Sequence, residues 1–359
     1  MNDRGSPEPR IDKPTLVYPF ETTPVPGDAL QVAPGVMWMR MPMPMQLNHI
    51  NLWAIDDGDS WVVVDTGMRT DETLAAWRQL LAKGNDGRRI GRVFATHMHP
   101  DHVGMAGWLT RKFDCQLWMT RTEYLNCRTL VADTGREAPA DAIRFYRRAG
   151  WGDAAIEDYR ARFGKFGRFI HALPDSYRRI RDGETLRIGD HDWRVIVGTG
   201  HSPEHACLHS AELKLLISGD QVLPRISSNV SVHPTEPDAD PLHDWLSSIE
   251  KIKAAVPDDV LVLPAHNEPF RGLHARLDHL ARGHHRSLAR LLTTLDRPKR
   301  VIDVFGALFA RAVDPAEVGL QLGLASGESI ASLNYLVNLG QVRCEFDADG
   351  VAWYRRVDA

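Results

Sequence analysis

Apolar and polar positions alternate along this chain in two rhythms. The runs "VMWMRMP" (36–42) and "HINLWAID" (49–56) predict strands, and "WVVVDTG" (61–67) has the unbroken apolar stretch of a strand buried on both faces, closed by a turn. "DETLAAWRQLLAKG" (71–84) opens on acidic residues, repeats apolar positions every three or four residues and stops at glycine, which predicts a helix. "RVFATHMHPDH" (92–102) reads as a strand entering a loop, and "VGMAGWLTRKF" (103–113) as the helix after it. Two hairpin-like pairs follow, "ETLRIGDHDWRVIVGTG" (184–200) and "CLHSAELKLLISGD" (207–220).

Between these strand sets the pattern changes. Residues 121–175 carry helical spacing, many Arg and Tyr and little β-branched content, so they are expected to form an inserted helical cap. Beyond 270, "LHARLDHLARGHHRSLARLLTTL" predicts a long basic amphipathic helix. "VIDVFGALFAR", "DPAEVGLQLGLA" and "GESIASLNYLVNLGQVRCEFDADGVAWYRR" then read as helix, helix, helix, strand, turn, strand. That order resembles a winged-helix-like domain. The expected organisation is an extended arm over 1–30, a main domain over 31–285 and the small C-terminal domain over 286–359.

Composition narrows the class. With 359 residues, 43% hydrophobic and 25% charged, the chain has the make-up of a globular protein of more than one core. A net charge of −4 gives no global attraction to nucleic acid or anionic membrane. Four scattered cysteines (Cys115, Cys127, Cys207, Cys344) lack CxxC spacing, so neither a disulfide framework nor a thiolate zinc cluster is expected. No signal-like h-region and no apolar run of membrane-spanning length occurs, and the expected location is the cytoplasm.

The chemistry concentrates in "THMHPDHVG" (96–104). Leaving a strand, residues two apart point the same way, so His97 and His99 can converge on one ion. Asp101 and His102 follow the turn at Pro100 and can face a neighbouring point. Neither pair completes a site, since zinc takes about four ligands. Further candidates stand where other apolar strands open into loops: His201 in "VIVGTGHSPEH", Asp220 in "LLISGDQ" and His266 in "VLVLPAHNE". By contrast His274, His279, His284 and His285 lie within a helical pattern and are expected to be structural or solvated.

In this order the five elements "VVVDTG", "THMHPDH", "GTGHSPEH", "SGDQ" and "PAHNE" resemble the metallo-β-lactamase-fold hydrolases, over residues 35 to 285. The resemblance implies an α/β fold, a four-layer αββα sandwich with two metals at one edge of the sheets. It implies that His97, His99 and His201 hold one ion, that Asp101, His102 and His266 hold the other, and that Asp220 bridges them. Imidazole and carboxylate ligands without thiolate suit two Zn²⁺, and manganese or iron would accept the same set. Such a pair can generate a bridging hydroxide. Asp101 and Asp65 are the expected catalytic carboxylates, Asp101 orienting the nucleophile and Asp65 fixing a ligand histidine from behind.

Departures from other branches point to the glyoxalase-II-like group. Broad-spectrum β-lactamases of this fold have Cys, or no bridging Asp, where this chain has Asp220. The nuclease branch with a large insertion needs more than the 46 residues between Asp220 and His266. The flavin-linked di-iron branch has Glu where this chain has His99. The expected substrate is therefore a small thioester, lactone or ester. Alternatives are a metal-dependent nuclease or RNA-processing activity using the tail, and hydrolysis of a halogenated or phosphorylated xenobiotic. Substrate contacts are expected from Arg225, Asn229 and His233 in "QVLPRISSNVSVHPTEPD" (221–238), and from Tyr124 and Tyr146 in the cap. The partner is a small molecule, with nucleic acid and membrane disfavoured and a homodimer compatible.

Overall fold

The computed structural model describes residues 15–83, 88–309, 313–314 and 319–357. Two sheets pack face to face. The first has seven strands in chain order: β1 (Ala29–Ala33), β2 (Val36–Pro42), β3 (His49–Asp56), β4 (Ser60–Val64), β5 (Arg89–Phe94), β6 (Gln116–Met119) and β7 (Arg178–Arg179). Its first four strands form an antiparallel meander, and β4 to β7 run parallel. Parallel neighbours require crossovers, and these are α1 (Asp71–Lys83), then α2 (Pro100–Val103) with α3 (Ala106–Phe113), then α4 (Arg121–Ala132), α5 (Ala140–Arg148) and α6 (Asp153–Arg162).

The second sheet joins β8 (Thr185–Ile188), β9 (His191–Gly198), β10 (His205–Ser210), β11 (Leu215–Gly219) and β12 (Leu261–Pro264) in the order β12-β11-β10-β9-β8. Helix α7 (Pro241–Ala255) connects the parallel pair β11 and β12. The chain continues through α8 (Leu273–Thr294), α9 (Phe305–Leu308), α10 (Leu320–Asn338) and the hairpin β13 (Val342–Phe346) and β14 (Ala352–Arg356).

Burial explains the layering. Trp38, Trp53, Val62, Val64, Phe94, Trp193, Leu208 and Leu263 fill the space between the sheets. Leu52, Val63, Trp77, Val93, Leu109 and Leu117 pack the outer face of the first sheet against its helices. Ile196, Leu216, Trp245, Ile249 and Leu277 do the same for the second sheet. Strands covered on both faces have no solvent side, which is why "WVVV" and β10, buried at all six positions, lack alternation. The architecture is the expected α/β four-layer sandwich.

Several expectations need correction. The two helices expected over "DPAEVGLQLGLA" and "GESIASLNYLVNLG" are one helix, α10, although residues 315–318 lie outside the described residues. Gly327, where the second of these segments begins, is a close-packing point, where a Cβ would come within 2.8 Å of Ser231. "VIDVFGALFAR" yields only a 3₁₀ turn and the short α9. The ligand loop is itself helical from Pro100, so Asp101 and His102 sit on α2. The expected arm ends in β1, and its first 14 residues lie outside the described ones. The continuous α8 carries the chain from the main domain into the C-terminal segment. The cap region is helical, and it packs against the tail: Trp151 joins the core of α7, α8 and α10, and its Nε1 donates to Ser326 Oγ at 2.9 Å. Among the described residues no helix is long and apolar enough to cross a membrane.

Candidate metal centre

All the candidate ligands stand just beyond strand ends or in the first turn that follows one. His97 and His99 follow β5, Asp101 and His102 begin α2, His201 follows β9, Asp220 follows β11, and His266 follows β12. The turn before Asp220 depends on Gly219, whose φ is +49° and where a Cβ would lie 2.5 Å from His205 Nε2. Only glycine fits there.

The fold brings the seven side chains into two adjoining groups. His97, His99, His201 and Asp220 form one and Asp101, His102 and His266 the other, with ligand-type atoms in each within 4.8 Å of one another. Asp220 lies between them. Its Oδ2 is 3.3 Å from His201 Nε2 and 3.4 Å from His102 Nε2, and its Oδ1 is 3.4 Å from His266 Nε2. Asp101 Oδ2 is 3.6 Å from His102 Nε2 and 3.4 Å from His266 Nε2. His97 Nε2 and His99 Nδ1 face each other at 2.9 Å.

The outer ring nitrogens determine what the inner ones offer. His201 Nδ1 donates to the Asn229 carbonyl at 2.8 Å, and His266 Nδ1 donates to the His49 carbonyl at 2.9 Å. His102 Nδ1 lies 2.7 Å from Asp65 Oδ2, and His97 Nδ1 lies 3.1 Å from Thr96 Oγ1. Each partner can accept the Nδ1 proton, which leaves Nε2 of the neutral ring with a lone pair. Those lone pairs converge on two carboxylates. Acceptors then face acceptors, and His102 Nε2, His201 Nε2 and Asp220 Oδ1 are buried without hydrogen-bond partners. A divalent cation satisfies this arrangement, and the all-nitrogen-and-oxygen donor set fits two of them.

Electrostatics follow the same geometry. Burial, reinforced by neighbouring imidazoles, holds His97 and His205 well below the ordinary histidine value, and brings His99 down to about 3. Burial opposes charge on His102 too, but Asp65, Asp101 and Asp220 outweigh it and raise its pKa. For Asp101, burial is likewise overcome by His102 and His266, and the pKa falls to about 2. Asp220 is driven far below the carboxylate range by His266 and His102 against its burial.

Asp65 stands behind this group. It is 2% exposed, accepts from Thr96 N at 2.8 Å and touches His102, at a backbone φ of +61°. It contacts a ligand-type ring and none of the inward-facing space.

The expected substrate residues divide. Asn229 lies against His201 through its carbonyl, while its Nδ2 donates to Glu328 Oε2 at 3.1 Å. His233 is exposed on the same segment. Arg225 pairs with Glu268 at 3.0 Å and lies over Tyr18. Neither cap tyrosine joins the site. Tyr124 is 3% exposed, stacks on Tyr177 and donates its hydroxyl to the Pro174 carbonyl at 2.7 Å. Tyr146 stacks on Trp151 in the hydrophobic core. Both rings are committed to packing.

Two participants carried no signal recognisable in the sequence. Glu123, fully buried at the start of α4, accepts Met98 N–H at 2.9 Å through Oε2 and Glu204 N–H at 2.8 Å through Oε1. It thereby ties the His97–His99 loop to the His201 loop. His205 accepts the Asp220 N–H at 3.0 Å. It is the second histidine of "GTGHSPEH", and only its position at the start of β10 separates its role from that of His201.

Residues 46–266 match the family described as the Metallo-beta-lactamase superfamily, and residues 288–357 match "Metallo-beta-lactamase-like, C-terminal domain". A beta-lactamase domain protein from Burkholderia ambifaria has a similar solved structure, with a TM-score of 0.85 and 38% identity covering 95% of this chain and 98% of that one. The acyl-coenzyme A thioesterase MBLAC2 of Homo sapiens is 26% identical, over 52% of this chain and 63% of that protein. The hydroxyacylglutathione hydrolase of Rhizobium etli is 24% identical, over 50% of this chain and 49% of that enzyme. The chain therefore spans less than two thirds of the length of these two curated relatives.

Proposed function

The chain belongs to the metallo-beta-lactamase superfamily, and from that premise we propose that it is a two-metal hydrolase acting on a small thioester or ester. The observation that carries this reading is the convergence of four imidazole Nε2 atoms and two carboxylates with every outer nitrogen already spoken for. In the proposed assignment His97, His99 and His201 would hold one zinc ion and Asp101, His102 and His266 the other, with Asp220 available to both. Bound there, the ions would supply a Lewis acid and an activated nucleophile near neutral pH.

The remaining work falls to protein groups. Asp101, placed between His102 and His266 and still partly exposed, would orient the attacking water by accepting a hydrogen bond from it. Asp65 and the carbonyls of Asn229 and His49 hold three rings in the tautomer that presents Nε2. Sulfur or oxygen leaving groups are favoured because two relatives are named as a thioesterase and a hydroxyacylglutathione hydrolase. Helix α10 does not favour a nucleic-acid substrate, since it contains no Lys or Arg and buries ten of its residues.

The test combines metal analysis with a panel of acyl thioesters, lactones, aryl esters and phosphodiesters. Bound zinc, hydrolysis of thioesters or esters lost on chelation and restored by metal, and loss of turnover in a folded His99→Ala protein are expected. Chelator-insensitive turnover, or an active His99→Ala protein, would overturn the metal reading. Cleavage of phosphodiesters alone would overturn the substrate class.

A further inference from the structure

One long face of α8 does not pack solidly. A cavity of about 290 Å³ separates it from α9, α10 and the segment around Arg225 and Ser227. Three properties of its wall point to a ligand. Arg276 is 4% exposed and donates through Nε and Nη2 to the carbonyls of Leu223 and Ile226, at 2.6 and 2.7 Å. Burial lowers its pKa only to about 10, so it stays cationic, and among the described residues no carboxylate forms an ion pair with it. A buried cation without a counter-ion is costly. His279 Nδ1 and His284 Nε2, both buried on this wall, have no hydrogen-bond partner.

The third property is Gly283, in the interior of a 22-residue helix. Glycine is less favourable than alanine in a helix interior. A Cβ at this position would meet nothing within 4 Å, so its absence leaves open space that any larger side chain would occupy. Leu280, Leu308 and Phe309 give the cavity an apolar part. Glu328 lines it as well, but its Oε2 accepts from Asn229, and among the described residues no ion pair joins it to Arg276.

We propose that this cavity is a binding site for a small organic anion with an apolar body, its charged head at Arg276 and the two histidines and its body against Leu308 and Phe309. None of the residues lining it is a candidate metal ligand, and it does not depend on the hydrolase reading. It shares a wall with that centre. Arg276 holds the carbonyls of Leu223 and Ile226, and three residues on, the Asn229 carbonyl orients His201.

Calorimetric titration of the metal-loaded chain with straight-chain carboxylates from butyrate to decanoate, and with the matching neutral amides, tests the proposal. Wild type should take up one equivalent of a carboxylate of intermediate length, with the amide at least about tenfold weaker, the equivalent of 1.4 kcal/mol. Gly283→Met fills the open space and should abolish that equivalent. Gly283→Ala should keep it and raise Tm, since alanine favours the helix. Carboxylate bound at the metals would survive Gly283→Met, so an unchanged isotherm in that variant overturns the proposal. Equal binding of acid and amide, or no binding across the series, also overturns it. Should Gly283→Met fail to fold, Gly283→Leu provides the same block.

Discussion

Asp65→Asn isolates the role of a residue that touches a ligand-type ring from behind. Asparagine tolerates the left-handed backbone at φ +61° and matches the shape of aspartate, so the turn after β4 should persist. The change acts on three contacts. Asp65 accepts from Thr96 N at 2.8 Å, from Thr96 Oγ1 at 2.9 Å and faces His102 Nδ1 at 2.7 Å. With the amide oxygen kept on Thr96 N, the new NH₂ group opposes the Nδ1–H of His102. The ring must then move its proton to Nε2, the atom directed at Asp101 and Asp220. A hydrogen bond to a charged group contributes roughly 1.5–3 kcal/mol, so metal affinity should fall by about 10–100-fold. Competition against a chromophoric chelator reads that loss, and the melting of the metal-free protein reports the fold. An Asp65→Asn protein that binds metal as tightly as wild type, while His102→Ala does not, would refute the reasoning.

Three further outcomes follow from the same geometry. Glu123→Gln replaces one accepting oxygen with a donor beneath two backbone N–H groups, so it should destabilise the protein by roughly 1.5–3 kcal/mol in urea unfolding and weaken metal uptake, with Glu123→Asp partly restoring it. Leu263→Ala, at a position fully buried between the sheets, should cost about 2–5 kcal/mol and be read as a lower urea midpoint without a changed slope. Burial, helped by His285, lowers His284 from 6.5 to about 4. The unfolded chain therefore takes up this proton first on acidification, and stability is lost as pH falls from 6.5 toward 4, on the order of 3 kcal/mol in all. His284→Gln should flatten the Tm profile over that window, and an unchanged profile would contradict the assignment.

The ligand-type residues were readable because their chemistry is tied to local pattern. His97, His99, His201, Asp220 and His266 each follow an apolar run, and the end of a buried strand is where a chain leaves the sheet with side chains free to converge. Glu123 was not readable in this way. It sits in a helical stretch like any surface acid, and its function depends on two N–H groups donated from loops 25 and 81 residues away. The tyrosines failed for the converse reason. Tyr124 and Tyr146 look like substrate contacts in an Arg- and Tyr-rich segment, but only the packing partners Tyr177 and Trp151 show that their faces are already covered.

Sequence by itself determined the strand and helix rhythm and the residue types able to bind metal, because these depend on periodicity and on side-chain chemistry at loop starts, and the α/β class followed from the resemblance its motifs carry. Tertiary structure alone decided which nitrogen of each histidine faces inward, since that choice belongs to Asp65, Thr96, Asn229 and His49, none of which lies beside the ring it orients except Thr96. It also decided that a cavity lies along α8. A void arises from side chains that do not meet across elements, and no local pattern records it.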